Sequence, residues 1–237
     1  MCQDGRMATG TRRAQRRTEA LSRERIVEAA VELLDAAGES GLTFRVLTER
    51  LATGPGAIYW HVANKGELLV AATDAVVADA LAAEPAGSPR EEVHAVALGL
   101  FSAIDAHPWL AAQLLLQLSR SPGGPVTPRI LESLGRRVRA LGVPEEHWFT
   151  ATSVLMHYVL GAAGQNAANS RVAEPDADRA EFLAATAEAW AELDPREYET
   201  TRLMASQMRE HDDREQFLAG IDLVLAGVAA LYPGGRA

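Results

Sequence analysis

The sequence predicts an all-α protein, with a small N-terminal head and a larger helical core behind it. Alanine, leucine and arginine dominate while aromatic residues make up only 5% of the chain, a balance that suits helices far better than half-buried strands. Between clusters of proline and glycine, apolar residues recur at intervals of three and four, the period of an amphipathic helix. The third observation concerns size: 237 residues can bury a full hydrophobic core without a disulfide or metal staple. The one cysteine, Cys2, can form no intramolecular disulfide, which points to a reducing compartment. No apolar run reaches the roughly 18 to 20 residues of a membrane span. A soluble, cytoplasmic protein without a membrane partner is therefore expected.

Residues 1–21 read as a disordered basic arm, because Gly5, Gly10 and the run Arg12, Arg13, Arg16 and Arg17 carry no apolar stripe. Five arginines against Asp4 and Glu19 leave this arm at +3, whereas residues 22–72 sum to -2 and residues 73–237 to -10, giving the total of -9. An acidic total argues against nucleic-acid binding, but the acid sits mostly in the rear.

Residues 22–83 read as the head with its connecting helix. From Ser22, a good N-cap, Ile26, Ala29, Ala30, Leu33 and Ala37 recur at helical spacing until Gly38. Thr43 caps a short second helix with Leu47 and Leu51 facing inward. After the break Thr53-Gly54-Pro55-Gly56, another short helix runs from Ala57 to about Val62, and Asn64-x-x-Glu67 is a capping box opening a helix to about Ala83. Two short helices joined by a tight turn and backed by a longer one make a helix-turn-helix.

Residues 84–237 read as a separate core, set off by Glu84-Pro85-Ala86-Gly87-Ser88-Pro89. Helices are expected at about 89–106, 108–119, 127–141, 145–169, 177–192, 195–209 and 213–231, with a loop at Ser121 to Pro128. The last helix is apolar on two faces, Phe217, Ile221, Val224, Leu225 and Val228 on one and Ala219, Leu223, Ala226 and Ala230 on the other. Such a helix wants two partners. Residues 148–164 behave likewise, with Gly161 and Gly164 permitting close approach, so a four-helix bundle across a two-fold axis is expected. Its interface residues would be Gly161, Gly164, Phe217, Ile221, Val224 and Val228.

Gly41-Leu42-Thr43, Leu47 through Leu51, Ile58-Tyr59-Trp60-His61-Val62 and Asn64-Lys65-x-x-Leu68-Leu69 fall in one register. Together they resemble the head of the tetracycline-repressor (TetR) family. The rear half is similar to that family's core more loosely, in His107-Pro108-Trp109 and the closing Phe217 to Val228 helix. The resemblance implies a ligand-responsive transcriptional regulator, most simply a homodimeric repressor released from a palindromic operator by a small-molecule effector. It also implies that Tyr59, His61 and Lys65 contact phosphates or nearby groove atoms and that Arg45 reaches a base. An arginine can donate bidentately to guanine, worth about 1 to 3 kcal/mol of discrimination. Thr43 can donate to phosphate without reading sequence, and the arm with Arg12, Arg13, Arg16 and Arg17 can add phosphate or minor-groove contacts. Gly54, Pro55 and Gly56 depart from the family's pattern by offering no polar side chain where base-reading residues often sit. Tyr59 and Trp60 could instead be core aromatics of a small three-helix unit.

In the rear core, Phe101, His107, Trp109, Gln113, Gln117, Trp148, Met156, His157, Gln165 and Asn166 mix aromatic and polar groups on helices expected to converge. Such a set suits an apolar effector pocket with a few orienting polar groups, or ordinary core packing. No cofactor is expected. HExxH, GxSxG, GxxxxGK[ST] and paired CxxC are absent, which argues against an enzyme. Glu91-x-x-His94 is half of a di-iron carboxylate motif, but the second half is missing. A helical protein-interaction module whose head reads no DNA remains the other alternative.

Overall fold

The computed structural model describes residues 21–82, 87–172 and 179–233. Every regular element among these is helical. The arm's Arg12, Arg13, Arg16 and Arg17 lie outside the described residues. The chain divides into two compact units between Ala72 and Thr73.

In the first unit, α1 (Arg23–Gly41) starts where the Ser22 hydroxyl accepts from the Arg25 amide at 3.3 Å. It kinks at Gly38, whose φ of 63° suits a residue without a Cβ. Its stripe of Ile26, Val27, Ala29, Ala30, Leu33 and Leu34 is buried. Helix α2 (Phe44–Leu51) is capped by Thr43, whose Oγ1 accepts from the Val46 amide at 3.2 Å. It closes on Ala52, a left-handed residue with φ 48°. Helix α3 (Pro55–Tyr59) begins at Pro55, two residues before the expected Ala57. Proline suits the first helical position, where its missing N–H and fixed φ cost nothing. Leu42, Leu47, Ile58 and Val62 are fully buried and complete the unit's core.

Helix α4 (Lys65–Ala80) opens after Asn64 as expected but ends three residues before the expected Ala83, and the return bond of the expected capping box goes to Ala63 rather than Asn64. Asn64 Oδ1 accepts from the Glu67 amide at 2.9 Å, and the Glu67 carboxylate accepts from the Ala63 amide at 2.9 Å. The division between units falls inside this helix, between Ala72 and Thr73, rather than in the Pro/Gly segment near residue 84. Thr73, Val76 and Val77, all buried, count with the second unit.

The second unit comprises α5 (Pro89–Ala106), α6 (Leu110–Arg120), α7 (Val126–Ala140), a 3-10 turn at Glu145–His147, α8 (Trp148–Val172), α9 (Arg179–Ala191), α10 (Glu199–Arg209) and α11 (Asp213–Leu231). Helix α8 is the centre, packing against α5, α6, α7 and α11, while α9 and α10 pack chiefly on each other. Leu100, Ile104, Leu110, Leu114, Ile130, Leu134, Leu155 and Val159 are fully buried there. At Gly99, the close approach of α5 leaves no room for a Cβ against the Ala80 carbonyl. No single described helix is long and apolar enough to cross a membrane.

Candidate nucleic-acid interface and ligand core

On α2 and α3 the buried residues point one way and the candidate contact residues the other. Ile58 and Val62, four apart, occupy the core, so the positions between them turn outward. Tyr59 is 53% exposed and Trp60 89% exposed. Tyr59 lies over Phe44, the first residue of α2. Thr43 and Arg45 are exposed and His61 is half-buried. Arg45 is paired with Glu49 one turn on, at 3.0 Å across open solvent, an interaction worth only about 0.3 to 0.5 kcal/mol. Its guanidinium can therefore leave that partner cheaply. The Lys65 ammonium donates to the Glu39 carbonyl at 2.6 Å, tying the start of α4 to the turn after Gly38. Two of its three donors remain for an outside partner. Across the head, Arg50 pairs with Glu32, and Arg23 with Glu67 at 3.5 Å. The Glu24 carboxyl is held below its usual range, first by its own backbone amide and the Ser22 hydroxyl, then by Arg23 and His61.

In the rear unit, Phe101, Trp109, Gln113, Gln117 and Met156 are buried. Phe101 packs on Phe217 with ring centroids 4.6 Å apart, and His107 stands 6.0 Å from Trp109. The Trp148 indole donates to the Val143 carbonyl at 2.7 Å and lies under Arg139. His157 is exposed, Gln165 donates to Asn169 at 2.9 Å, and Asn166 is half-buried. Among the described residues of this unit, two cavities bear on the candidate site. The larger, about 890 Å³, is bounded by α4, α5 and α7. The smaller, about 120 Å³, includes Tyr158, Gln165, Asn166, His211 and Asp213. Burial pushes the Tyr158 phenol above its ordinary value.

Residues 26–72 match the family model for bacterial regulatory proteins of the tetR family, and residues 81–232 match the model for the tetracyclin repressor-like C-terminal domain. The chain belongs to the tetracycline-repressor family. It is 34% identical over 143 residues to an HTH-type transcriptional regulator of Saccharopolyspora erythraea, covering 60% of this chain and 59% of that relative. The chain thus spans under two thirds of that curated relative's length. Among solved structures it resembles the transcriptional regulator SCO7222, a TetR from Streptomyces coelicolor, with a TM-score of 0.84 and 67% identity over 90% of this chain and 100% of that one. It also resembles the TetR-family protein ActR of the same species in complex with actinorhodin, at a TM-score of 0.73 and 26% identity, covering 90% and 98% of the two chains.

This TetR-family chain exposes Thr43, Arg45 and Tyr59 on the head's helix-turn-helix and leaves His61 half-buried beside them. Trp60 stands out beside them instead of filling the core. The signal was present in the burial of Ile58 and Val62 at i and i+4, which leaves position 60 facing away. The expected pocket set does not come together in the described cavities. Gln165 and Asn166 line the smaller one, and Phe101, His107, Trp109, Gln113, Gln117, Trp148, Met156 and His157 line neither. Phe101 and Met156 are packing residues, and the Trp148 indole is already satisfied by a backbone carbonyl. The larger cavity is lined by Arg129, Arg136, Arg137 and Glu92 among others, residues whose spacing in the sequence marks no pocket.

The expected dimer residues divide between the chain's own core and its surface. Phe217 and Ile221 are buried within their own chain, where Phe217 packs between Phe101 and Tyr158. Val224 and Val228 are half-buried, Gly164 is half-buried against Ala111, and Gly161 is exposed. The apolar groups turned outward are Leu223 and Leu231 on α11 and Phe149 and Val154 on α8. Glu91 is engaged in the capping box with Ser88, His94 bonds Asp222 at 2.8 Å, and among the described residues no three His, Cys, Asp or Glu side chains gather to hold a metal.

Proposed function

We propose that this protein is a cytoplasmic transcriptional regulator that binds an operator duplex as a homodimer and is released by a small-molecule effector. The observation that carries the reading is the outward display of Thr43, Arg45, Tyr59 and Trp60 on α2, α3 and their caps, held by the buried Leu47, Ile58 and Val62. Donors and flat rings displayed on a rigid helical pair suit phosphate contact and groove insertion. The named regulators to which the chain is similar, one of them solved with a bound small molecule, support the same reading. The exposed Phe149, Val154, Leu223 and Leu231 supply an apolar face on two helices for a second copy. Effector binding favours a non-binding state by its differential affinity for the two conformations.

Fluorescence anisotropy with duplexes from upstream of the protein's own coding region tests this. A specific site should bind roughly a thousandfold or more tighter than random duplex at physiological salt. Equal affinity for both would leave a helical interaction module as the better account.

A further inference from the structure

The larger cavity, about 890 Å³ and open to solvent on one side, has a volume within the range of small-ligand sites. Ala78, Leu81 and Pro128 give it apolar walls, and its deepest polar group is Arg137 on α7. The Arg137 side chain is nine-tenths buried. Its Nη1 donates to the Ser133 carbonyl at 2.7 Å and to the Ser133 hydroxyl at 3.2 Å. Its Nε is buried without any hydrogen-bond partner. The nearest carboxylate oxygen, on Glu92 of α5, stands 3.6 Å away, beyond hydrogen-bond reach. This ion pair is neutral in charge but unfinished in hydrogen bonding, and leaving donors of a buried charged group unmet is costly.

Charge balance narrows what finishes it. Arg129 is already held by both oxygens of Asp74, at 2.9 and 3.1 Å, and Arg136 by Glu132 at 2.8 Å. With Glu92 facing Arg137, each guanidinium at the cavity has one carboxylate, so the site has no net charge to offer an ion. An entering anion meets Glu92 and Glu132, and an entering cation meets three guanidinium groups. Neither recovers its desolvation cost. An uncharged group that both accepts and donates does better, since its oxygen can face the Arg137 guanidinium while its N–H or O–H serves Glu92.

The geometry points to an uncharged effector with an apolar body and an amide or similar carbonyl-plus-donor group, seated between Arg137 and Glu92. This rests on the proposed regulatory function and names the chemistry of its ligand. Because Ala78 and Leu81 come from α4 and the residue that follows it, the occupant would touch the helix that begins in the head.

Isothermal titration of the full chain with octanamide, octanoate and octylammonium tests the assignment. Octanamide should bind at least tenfold tighter than either ion. Arg137→Met should weaken it about tenfold or more. Leu81→Trp, which adds bulk to the cavity wall while keeping Arg137 and Glu92, should abolish binding. Glu92→Gln should reverse the order of octanamide and octanoate by leaving Arg137 unneutralised. If Arg137→Met does not fold, the Leu81 and Glu92 variants carry the test. Tighter binding of either ion to the native chain, no binding of any of the three probes, or octanamide affinity unmoved by the substitutions overturns the assignment. Operator anisotropy run in parallel separates the two readings. A protein that binds its operator but not octanamide loses this inference alone, and one that binds octanamide but no DNA loses the regulatory reading.

Discussion

The ring of Tyr59 lies flat on that of Phe44, with centroids 4.7 Å apart and planes 7° from parallel. One partner opens α2 and the other closes α3, so this stack fixes the angle at which the two short helices present their outer faces. Tyr59 is exposed, yet its ring is not free to turn.

Phe44→Ala should therefore weaken operator binding even if Phe44 never touches DNA. The lost stack is worth about 0.5 to 1.5 kcal/mol. Thermal unfolding should register a loss of that order in the head, and anisotropy a lower affinity that Phe44→Tyr restores. Native affinity in the alanine variant would mean that the stack positions nothing.

Arg45 and Lys65 should fail differently. Arg45→Ala should relax preference at one base pair by about 1 to 3 kcal/mol, whereas Lys65→Ala should weaken all duplexes alike and reduce the salt slope by about one. Glu49→Ala, which frees Arg45 from its ion-pair partner one turn on, should leave base preference intact. Binding isotherms across a salt series on native and point-mutated operators give both quantities.

Gly220 on α11 sits directly beneath Tyr158 of α8, so a Cβ added there would overlap the phenol. The Tyr158 hydroxyl donates to the Phe217 carbonyl at 3.0 Å, which holds the ring in place. Gly220→Ala should cost about 1 to 3 kcal/mol through overpacking. In a Tyr158→Ala background the same change should cost less, because the obstacle is gone. Urea denaturation of the four proteins measures the coupling, and additive costs would show that the two residues do not meet.

Asp222 joins α11 to α5 through Arg90 at 2.6 Å and His94 at 2.8 Å. Desolvation pushes its carboxyl upward, but the hydrogen bonds and charges of Arg90 and His94 together outweigh this and leave it below its ordinary value. A carboxyl depressed in the folded state contributes stability above its unfolded pKa of about 3.9, and this is lost as pH falls through the folded value. Asp222→Asn should thus lose stability at pH 7 and show a shallower decline below about pH 4 than the native chain. Parallel acid limbs in the two proteins would contradict it.

Local chemistry made much of this architecture readable from residue order. The caps at Ser22, Thr43 and Asn64 with Glu67 are satisfied within a few residues of themselves, and the stripe from Ile26 to Leu34 follows from helical period. The family motif around Tyr59 is likewise contiguous. What residue order left open is which of two apolar faces a helix turns inward, since that depends on neighbours far along the chain. On α11 both the Phe217 face and the Leu223 face are apolar by pattern, and contact with Phe101 and Tyr158 buries the former. The cavity around Arg137 is a long-range product too, because Ala78, Glu92 and Arg137 meet only through the packing of α4, α5 and α7. A period records the direction of a side chain around its own helix, whereas a cavity is the space that several helices together leave unfilled.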